Sequence, residues 1–553
     1  MDIYPPPPHT DVKGRGGSHY FLDERRRTAL SELDNAKTSW FHVKVCLVAG
    51  VGFFTDAYDL FAINIGAQML GYVYGHGTPG KLGVNQDLGV KVAAPVGTLC
   101  GQLLFGWLAD IVGRKRIYGL VLLIMIIGTF VQALSGSGHA VGIIGVLVFW
   151  RFLMGVGIGG DYPLSATITS EFSATRIRGR MITAVFAGQG WGNFTAVLVA
   201  FIVNEAYKNK IIADPGVDQL VHVDFMWRIL FGIGCVPAVF ALYFRLTLPE
   251  TPRFTMDIER NVLQAAEDIH SLVITGKPAI HDPDALVQRV DAPHGSWEDF
   301  KAHFGKWENM KILIGTSYSW FALDIAFYGL GLNSSNILTA IGFGSPGNMK
   351  TTLGVYQAMR NVCVGNLIFS IAGLIPGYYA SFLLIDRWGR RPIQLMGFII
   401  LTVVFIIMGF GYEKLLQTRS GKNLFVFLYC LANFFQNFGP NTTTFIIPAE
   451  VFPTRYRATA HGISAASGKF GAIVAQVGFS QMINIGGPNK FIPHMMEILA
   501  FFMLTGIFST MLLPETKQKT LEELSNENQI GFLGGPTTRI QIQDGIVVGK
   551  RVY

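Results

Sequence analysis

The chain has 553 residues, of which half are hydrophobic, 15% are charged and 64 are glycine, with a formal net charge of +7. A soluble chain would carry nearer about a quarter charged residues. Here apolar runs of about 20 residues, the length a bilayer core requires, recur throughout, so the chain reads as a polytopic membrane protein. Its basic residues fall in short clusters between those runs, which excludes a nucleic-acid-binding surface.

In chain order, residues 1–41 form a polar N-terminal tail, Pro-rich at Pro5 to Pro8 and charged from Asp23 to Arg27, with no cleavable signal peptide. Hydropathy predicts six membrane spans near 42–72, 88–110, 116–135, 140–171, 180–206 and 225–248. A polar central linker follows at 249–311, with a loop around Pro278 to Pro283. Six more spans are predicted near 312–341, 352–385, 392–412, 423–449, 458–484 and 493–513, then a C-terminal tail at 514–553. The domains are therefore two six-helix bundles, 42–248 and 312–513, joined by the linker and flanked by two tails.

Orientation follows from the positive charges. Arg114 to Arg116, Arg176 to Arg180, Arg387 to Arg391 and Arg455 to Arg457 fall on one side if the spans alternate. The opposite loops carry scattered lysines such as Lys81, Lys208 and Lys350. Both termini and the linker are expected in the cytosol. Five cysteines, Cys46, Cys100, Cys235, Cys363 and Cys430, sit apart in apolar runs, without CxxC or metal-ligand spacing, and read as core residues. No metal site and no cofactor is expected.

Three signatures occur twice in the same order. Asp110-Ile-Val-Gly-Arg-Lys returns as Asp386-Arg-Trp-Gly-Arg-Arg. Glu171, Thr175, Arg176 and Arg178 return as Glu450, Thr454, Arg455 and Arg457, and Leu248-Pro-Glu-Thr returns as Leu513-Pro-Glu-Thr. Duplication of a six-helix unit describes the major facilitator fold, an all-α membrane architecture of about twelve helices with its substrate site near the midplane. Gly106 precedes the first signature and Phe382 the second, so the second copy is expected to grip less tightly.

Charges at bilayer depth mark function, because each costs about 3 kcal/mol or more there. Span four carries Arg151, Asp161 and Glu171 among Gly155, Gly157, Gly159 and Gly160, small residues that let a neighbouring helix approach. Arg151, ten residues before Asp161, is either its charge partner or part of a structural pair. Asp56 and Asp59 lie three apart on one face of span one, where two charged carboxylates would be costly. They are candidates for a proton path, or else caps of a broken helix. In span seven Trp320, Asp324 and Tyr328 recur every four residues, hence on one face. Lys469 lies in apolar span eleven and is expected to pair with Asp324. The stretch Gly462 to Lys469 has the wrong glycine spacing, and Phe470 stands where a phosphate loop needs Ser or Thr, so nucleotide binding is rejected. With no ATPase motif, transport is driven by a gradient, and no enzymatic reaction is expected.

Gly159-Gly-Asp-Tyr-Pro-Leu-Ser-Ala-Thr-Ile-Thr-Ser-Glu171 resembles the signature of the phosphate:proton symporters of fungi and plants. Trp320-Phe-Ala-Leu-Asp324-Ile-Ala-Phe-Tyr328, Phe438-Gly-Pro-Asn-Thr-Thr-Thr-Phe445 and Thr459-Ala-His-Gly-Ile-Ser-Ala-Ala-Ser-Gly-Lys469 match the same family. The resemblance runs through all the spans, weakens in the tails, external loops and linker, and is strongest to the fungal high-affinity transporters. It implies a plasma-membrane carrier importing inorganic phosphate with protons by alternating access, with arsenate as competitor. It further implies that Tyr162, Gln189, Trp320, Asp324, Tyr328 and Asn441 hold phosphate. Asp56, Asp59, Asp161, Asp324, Lys469 and Arg151 are then the candidates for proton coupling, and Asp110, Arg114, Asp386 and Arg390 for the gate. The partners expected are phosphate, protons and the lipid bilayer, with no nucleic acid. Two other readings stand beside this one: a sugar or organic-anion symporter of the same superfamily, and a phosphate sensor.

Overall fold

In lipid a backbone must satisfy its own hydrogen bonds, so each apolar run closes into a helix. The computed structural model describes residues 17–75, 81–275, 286–289, 295–342, 351–527, 538–543 and 546–551. The expectations for Pro5 to Pro8, Pro278 to Pro283 and Lys350 lie outside the described residues. The first six spans are Trp40–Tyr74, Val84–Val112, Arg114–Leu134, Ile143–Phe172, Arg178–Ala213 and Val217–Leu246. The second six are Trp307–Gly331, Thr352–Trp388, Arg390–Phe410, Arg419–Val451, Arg457–Met482 and Ile492–Met511. Among the described residues nine helices are long and apolar enough to cross a membrane by length and composition. The other three, spans seven, ten and eleven, are the more polar ones, and they carry Asp324, Asn441 and Lys469.

Two spans are interrupted where the sequence breaks the helix. Span ten stops at Asn437 and restarts at Pro440, whose missing N–H costs nothing at a first turn. The freed Asn437 carbonyl accepts from Ser381 Oγ at 2.7 Å and Thr442 Oγ1 at 2.6 Å, so hydroxyls repair the break. Span eight passes through a π-helical turn at Ser370–Leu374 just before Pro376, which re-aims the residues after it.

The duplicated motifs build the same corner twice. Gly113 and Gly389 both turn at positive φ, 111° and 103°. The acid four residues before each arginine pairs with it, Asp110 with Arg114 at 3.1 Å and Asp386 with Arg390 at 2.9 Å. Glu250 accepts from the Lys115 N–H, and Glu515 from the N–H groups of Arg390 and Arg391, each at 3.1 Å. Thr251 and Thr516 then bond Glu171 and Glu450. The repeated Pro-Glu-Thr is therefore the tie between a span's end and its neighbour's corner.

The arginine-rich face is covered by the tails and the linker. The N-terminal helix Gly17–Asp34 packs Leu22, Leu30 and Leu33 against Met256, Val262 and Ile269 of the linker. Arg26 bonds Asp257 at 2.7 Å, and Arg253 bonds Glu522 of the C-terminal tail at 2.7 Å. Burial alone would push Glu522 up, but Arg253 beside it holds it down at about 2. Strands Leu286–Arg289, Thr538–Gln543 and Ile546–Arg551 form a small antiparallel sheet in that order, with Leu286 opposite Gln541 and Thr538 opposite Arg551. The membrane part is all helical. All five cysteines are free, and the expectation that they fill the core fails at Cys100, which is exposed on the outward side of span two.

The glycines of span four work as expected. A Cβ on Gly159 would strike the Thr98 carbonyl oxygen and lie 2.8 Å from the Gln102 nitrogen of span two. Gly145 on the same helix has no atom within 4 Å of that position. Gly159→Ala should therefore destabilise by about 1–3 kcal/mol, the cost of overpacking. Gly145→Ala should be neutral or stabilise by about 0.5–1 kcal/mol. Thermal unfolding of both variants in detergent checks this; equal melting temperatures would refute the close-approach argument.

Candidate functional site

Between the two halves, near mid-span, lies a buried ion pair. Lys469 Nζ is 2.9 Å from Asp324 Oδ2, and each residue is 1% exposed. Gly468 makes room for it: a Cβ there would strike the Trp320 ring and lie 3.0 Å from Asp324 Oδ2. The ammonium sits over two tyrosine rings, Tyr328 of its own half at 4.4 Å and Tyr162 of the other half at 4.8 Å. A desolvated cation over an aromatic face gains about 2 kcal/mol.

The amides and phenols beside it form a relay across the halves. Asn441 Nδ2 donates to Tyr378 Oη at 2.9 Å, Tyr378 Oη to Gln189 Oε1 at 2.6 Å, and Gln189 Nε2 to Tyr162 Oη at 3.3 Å. Asn441 stands in the first turn of the restarted helix and Tyr378 two residues after Pro376, so both helix breaks aim a site residue. The structure thus brings together Tyr162, Gln189, Trp320, Asp324, Tyr328, Asn441 and Lys469. Sequence reasoning missed Tyr378, an aromatic in an apolar run with no charge to mark it.

Rings close the site above and below. Toward the arginine-rich face, Phe186 stacks on Phe445 at 4.4 Å, and Phe53 meets both edge-on at 5.3 and 5.1 Å. Phe53 and Phe186 come from the first half and Phe445 from the second. On the other side Phe61 stacks on Tyr328 at 5.8 Å.

Polar contacts bridge the halves at both faces. On the arginine-rich face Asp110 Oδ2 accepts from the Thr459 N–H and hydroxyl, both at 2.7 Å. Arg114 donates to the Thr454 carbonyl at 2.9 Å, and Arg457 to Glu171 at 2.8 Å. Asp386 of the second copy accepts from the Arg180 N–H at 3.0 Å, while Arg390 bonds Glu450 within its own half at 2.9 Å. On the opposite face Asn64 Nδ2 donates to Ser334 Oγ at 2.6 Å, and Tyr356 Oη to Glu205 at 2.7 Å. The conformation is therefore occluded. Asn64 and Ser334 were also missed, since small polar residues in a span carry no distinguishing pattern.

The first-half acids separate. Asp161 takes Arg245 Nη2 at 2.6 Å and Ser165 Oγ at 3.1 Å. Of the two readings of Arg151, the pair with Asp161 fails: ten helical residues rise about 15 Å, too far for contact. Arg151 instead donates to the Val90 carbonyl at 2.7 Å and to Gln132 Oε1 at 3.3 Å. Asp59 accepts from Thr129 at 2.6 Å. Asp56 lies beside Asp161. Tyr162, the next residue after Asp161, faces Lys469 while Asp161 faces Arg245, as a turn of about 100° per residue requires. Arg245 is a further residue that sequence reasoning missed.

The chain matches the family model described as "Sugar (and other) transporter" over residues 45–527. It is 48% identical over 523 residues to the repressible high-affinity phosphate permease of Neurospora crassa, covering 91% of this chain and 90% of that one. It is 48% identical over 528 residues to an inorganic phosphate transporter of Saccharomyces cerevisiae, covering 91% and 87%. A low affinity inorganic phosphate transporter of Lotus japonicus is 42% identical over 510 residues, covering 90% and 94%. Among solved structures, the proton:xylose symporter XylE bound to 6-bromo-6-deoxy-D-glucose superposes with a TM-score of 0.67 at 19% identity, over 88% of this chain and 99% of that one. That likeness establishes the major facilitator fold.

Removing one partner of a buried ion pair leaves the other uncompensated. Lys469→Met should cost about 3–5 kcal/mol, and Asp324→Asn together with Lys469→Met should recover most of it. A double-mutant cycle by thermal unfolding measures the coupling; additive effects would mean that the two groups do not sense each other.

Proposed function

This chain belongs to the sugar (and other) transporter family, in its branch of phosphate permeases, and from that premise we propose that it imports inorganic phosphate with protons across the plasma membrane by alternating access. The observation that carries this reading is the Lys469 ammonium held between Tyr162 of one half and Tyr328 of the other, beside Asp324. Dihydrogen phosphate offers acceptor oxygens and two hydroxyl donors, so its site needs donors and at least one acceptor. Lys469, Trp320, Tyr162, Tyr328, Gln189 and Asn441 supply donors. The Asp324 carboxylate accepts.

Arriving phosphate competes for Lys469, and Asp324 accepts a phosphate hydroxyl or takes a proton. The pocket avoids an unpaired charge only when anion and proton are both loaded. Residues 42–248 and 312–513 act as the moving halves, joined by 249–311. The arginine-rich face is the cytosolic one by the distribution of positive charge, with both termini there. Asp110 with Arg114 and Asp386 with Arg390 hold that face shut. Asp56, Asp59 and Asp161 form the proton branch, and arsenate, nearly isosteric with phosphate, competes.

Reconstitution into liposomes with an acid exterior should give labelled phosphate uptake that arsenate inhibits and that sulfate and glucose do not. Uptake blocked by glucose instead would move the chain to the sugar carriers. Asp324→Asn should nearly abolish phosphate binding while leaving folded protein in detergent; wild-type binding with unchanged pH dependence would reduce the pair to a structural one. Asp110→Ala should slow cycling and spare binding, and an unaltered uptake rate would count against the gate.

A further inference from the structure

Arg245 takes no part in the proposed phosphate site, yet it is 1% exposed inside the first half. Its guanidinium lies 3.9 Å from the centre of the Tyr118 ring and donates to Asp161 at 2.6 Å. Span one is thinned to admit it. A Cβ on Gly52 would run into Arg245 Nη2 and stand 2.5 Å from Asp161 Oδ2. Asp56 follows one turn later on that span, beside Asp161, and among the described residues neither of its carboxyl oxygens has a hydrogen-bond donor.

The charge count is decisive. Two carboxylates and one guanidinium leave a single excess negative charge in a dry interior, which costs several kcal/mol. One proton on Asp56 cancels that charge and supplies a donor to Asp161. The other titratable groups around the cluster are Asp59 on span one, Tyr118 on span three, Tyr162 on span four and Tyr328 on span seven. None of them is a cation. Asp59 accepts from Thr129, and its charge is offset by Arg151 on span four, so it does not enter the count.

We propose that Arg245 is a positioning residue for the proton: a fixed counter-charge, seated in the gap left by Gly52, that makes Asp56 and Asp161 a site for one proton. The proton comes from water on the outer side, forms an O–H bond on Asp56, and returns to water on the cytosolic side when that bond breaks. Arg245 keeps its charge and its partner Asp161 throughout. This inference rests on the proton-coupled reading above.

The test compares net phosphate uptake, driven by an acid exterior, with phosphate–phosphate exchange in the same proteoliposomes. Exchange needs no proton release. Arg245→Gln leaves two carboxylates without a cation, so the proton is held too tightly. Net uptake should fall about tenfold or more, while exchange stays within about twofold, and an alkaline interior should restore net uptake. Arg245→Lys keeps the charge and should behave as wild type, which guards against a folding defect. Gly52→Ala displaces the guanidinium and should show the same split as Arg245→Gln. Asp161→Asn alone lets Arg245 neutralise Asp56 without a proton and should uncouple uptake from pH. Adding Arg245→Gln to it restores a one-proton site and should recover coupling. Equal losses of uptake and exchange in Arg245→Gln and Gly52→Ala would overturn the inference in favour of a structural pair, as would wild-type net uptake in both. Wild-type liposomes that take up no phosphate under the gradient would instead sink the transport reading itself, and this inference with it.

Discussion

A charge buried in hydrocarbon must find a partner, and that constraint organises this molecule. Lys469 is the clearest case. Its ammonium is compensated by Asp324 and shielded by two aromatic faces, one from each half. Everything around it serves that arrangement. Gly468 clears space for it, while the break in span ten and the π-helical turn of span eight aim Asn441 and Tyr378 at each other and at Gln189. Arg245 meets the same requirement through Asp161, and Arg151 by a different route, through a carbonyl and an amide.

The two faces solve closure differently. On the arginine-rich face the bridges use charges: Asp110 on Thr459, Arg457 on Glu171, Arg114 on a backbone carbonyl. The opposite face is held inside by small neutral groups such as Asn64 and Ser334, with its one charged bridge among the described residues, Glu205 with Arg360 at 3.1 Å, at the solvent-facing rim. The duplicated corner explains part of this difference. Both copies build the same glycine turn and acid–arginine pair, but Asp110 reaches across to the other half with two bonds to Thr459 and Asp386 with one to Arg180. Close packing of Gly106 against the Ala458 carbonyl and Gly462 brings the first copy nearer its partner, and Phe382 stands in the matching place of the second.

Much of this was legible in the sequence because its signals are local. Intramembrane acids stand out against apolar neighbours, so Asp56, Asp59, Asp161 and Asp324 were found, and three repeated signatures exposed the duplication. What stayed hidden depends on which helices meet. Arg245 lies near the end of an apolar run, where a basic residue ordinarily marks the membrane boundary; only the gap at Gly52 shows that it turns inward. For Arg151 two readings stood open, and only the helix contacts decide against Asp161 and for hydrogen bonds to a carbonyl and an amide. Tyr378, Asn64 and Ser334 are uncharged, and their roles come from contacts more than 180 residues away in sequence for Tyr378 with Gln189 and 270 for Asn64 with Ser334. The strands linking residues 286–289 to the C-terminal tail follow no apolar run at all.

The layer formed by Phe53, Phe186 and Phe445 has an electrical consequence. The ring faces, drawn from both halves, offer no hydrogen-bonding group to a chain of water molecules, so where they meet they insulate. A membrane voltage falls across insulating matter and not across wet matter. With both faces bridged, the drop is shared among the closed layers, and this aromatic layer on the arginine-rich side of Lys469 and Asp324 takes part of it. Each elementary charge moved through the full drop exchanges about 2.3 kcal/mol per 100 mV. Three phenylalanines thus act as one dielectric layer between the buried ion pair and the arginine-rich face. Part of the work that voltage does on the transported ions is done across this layer of carbon.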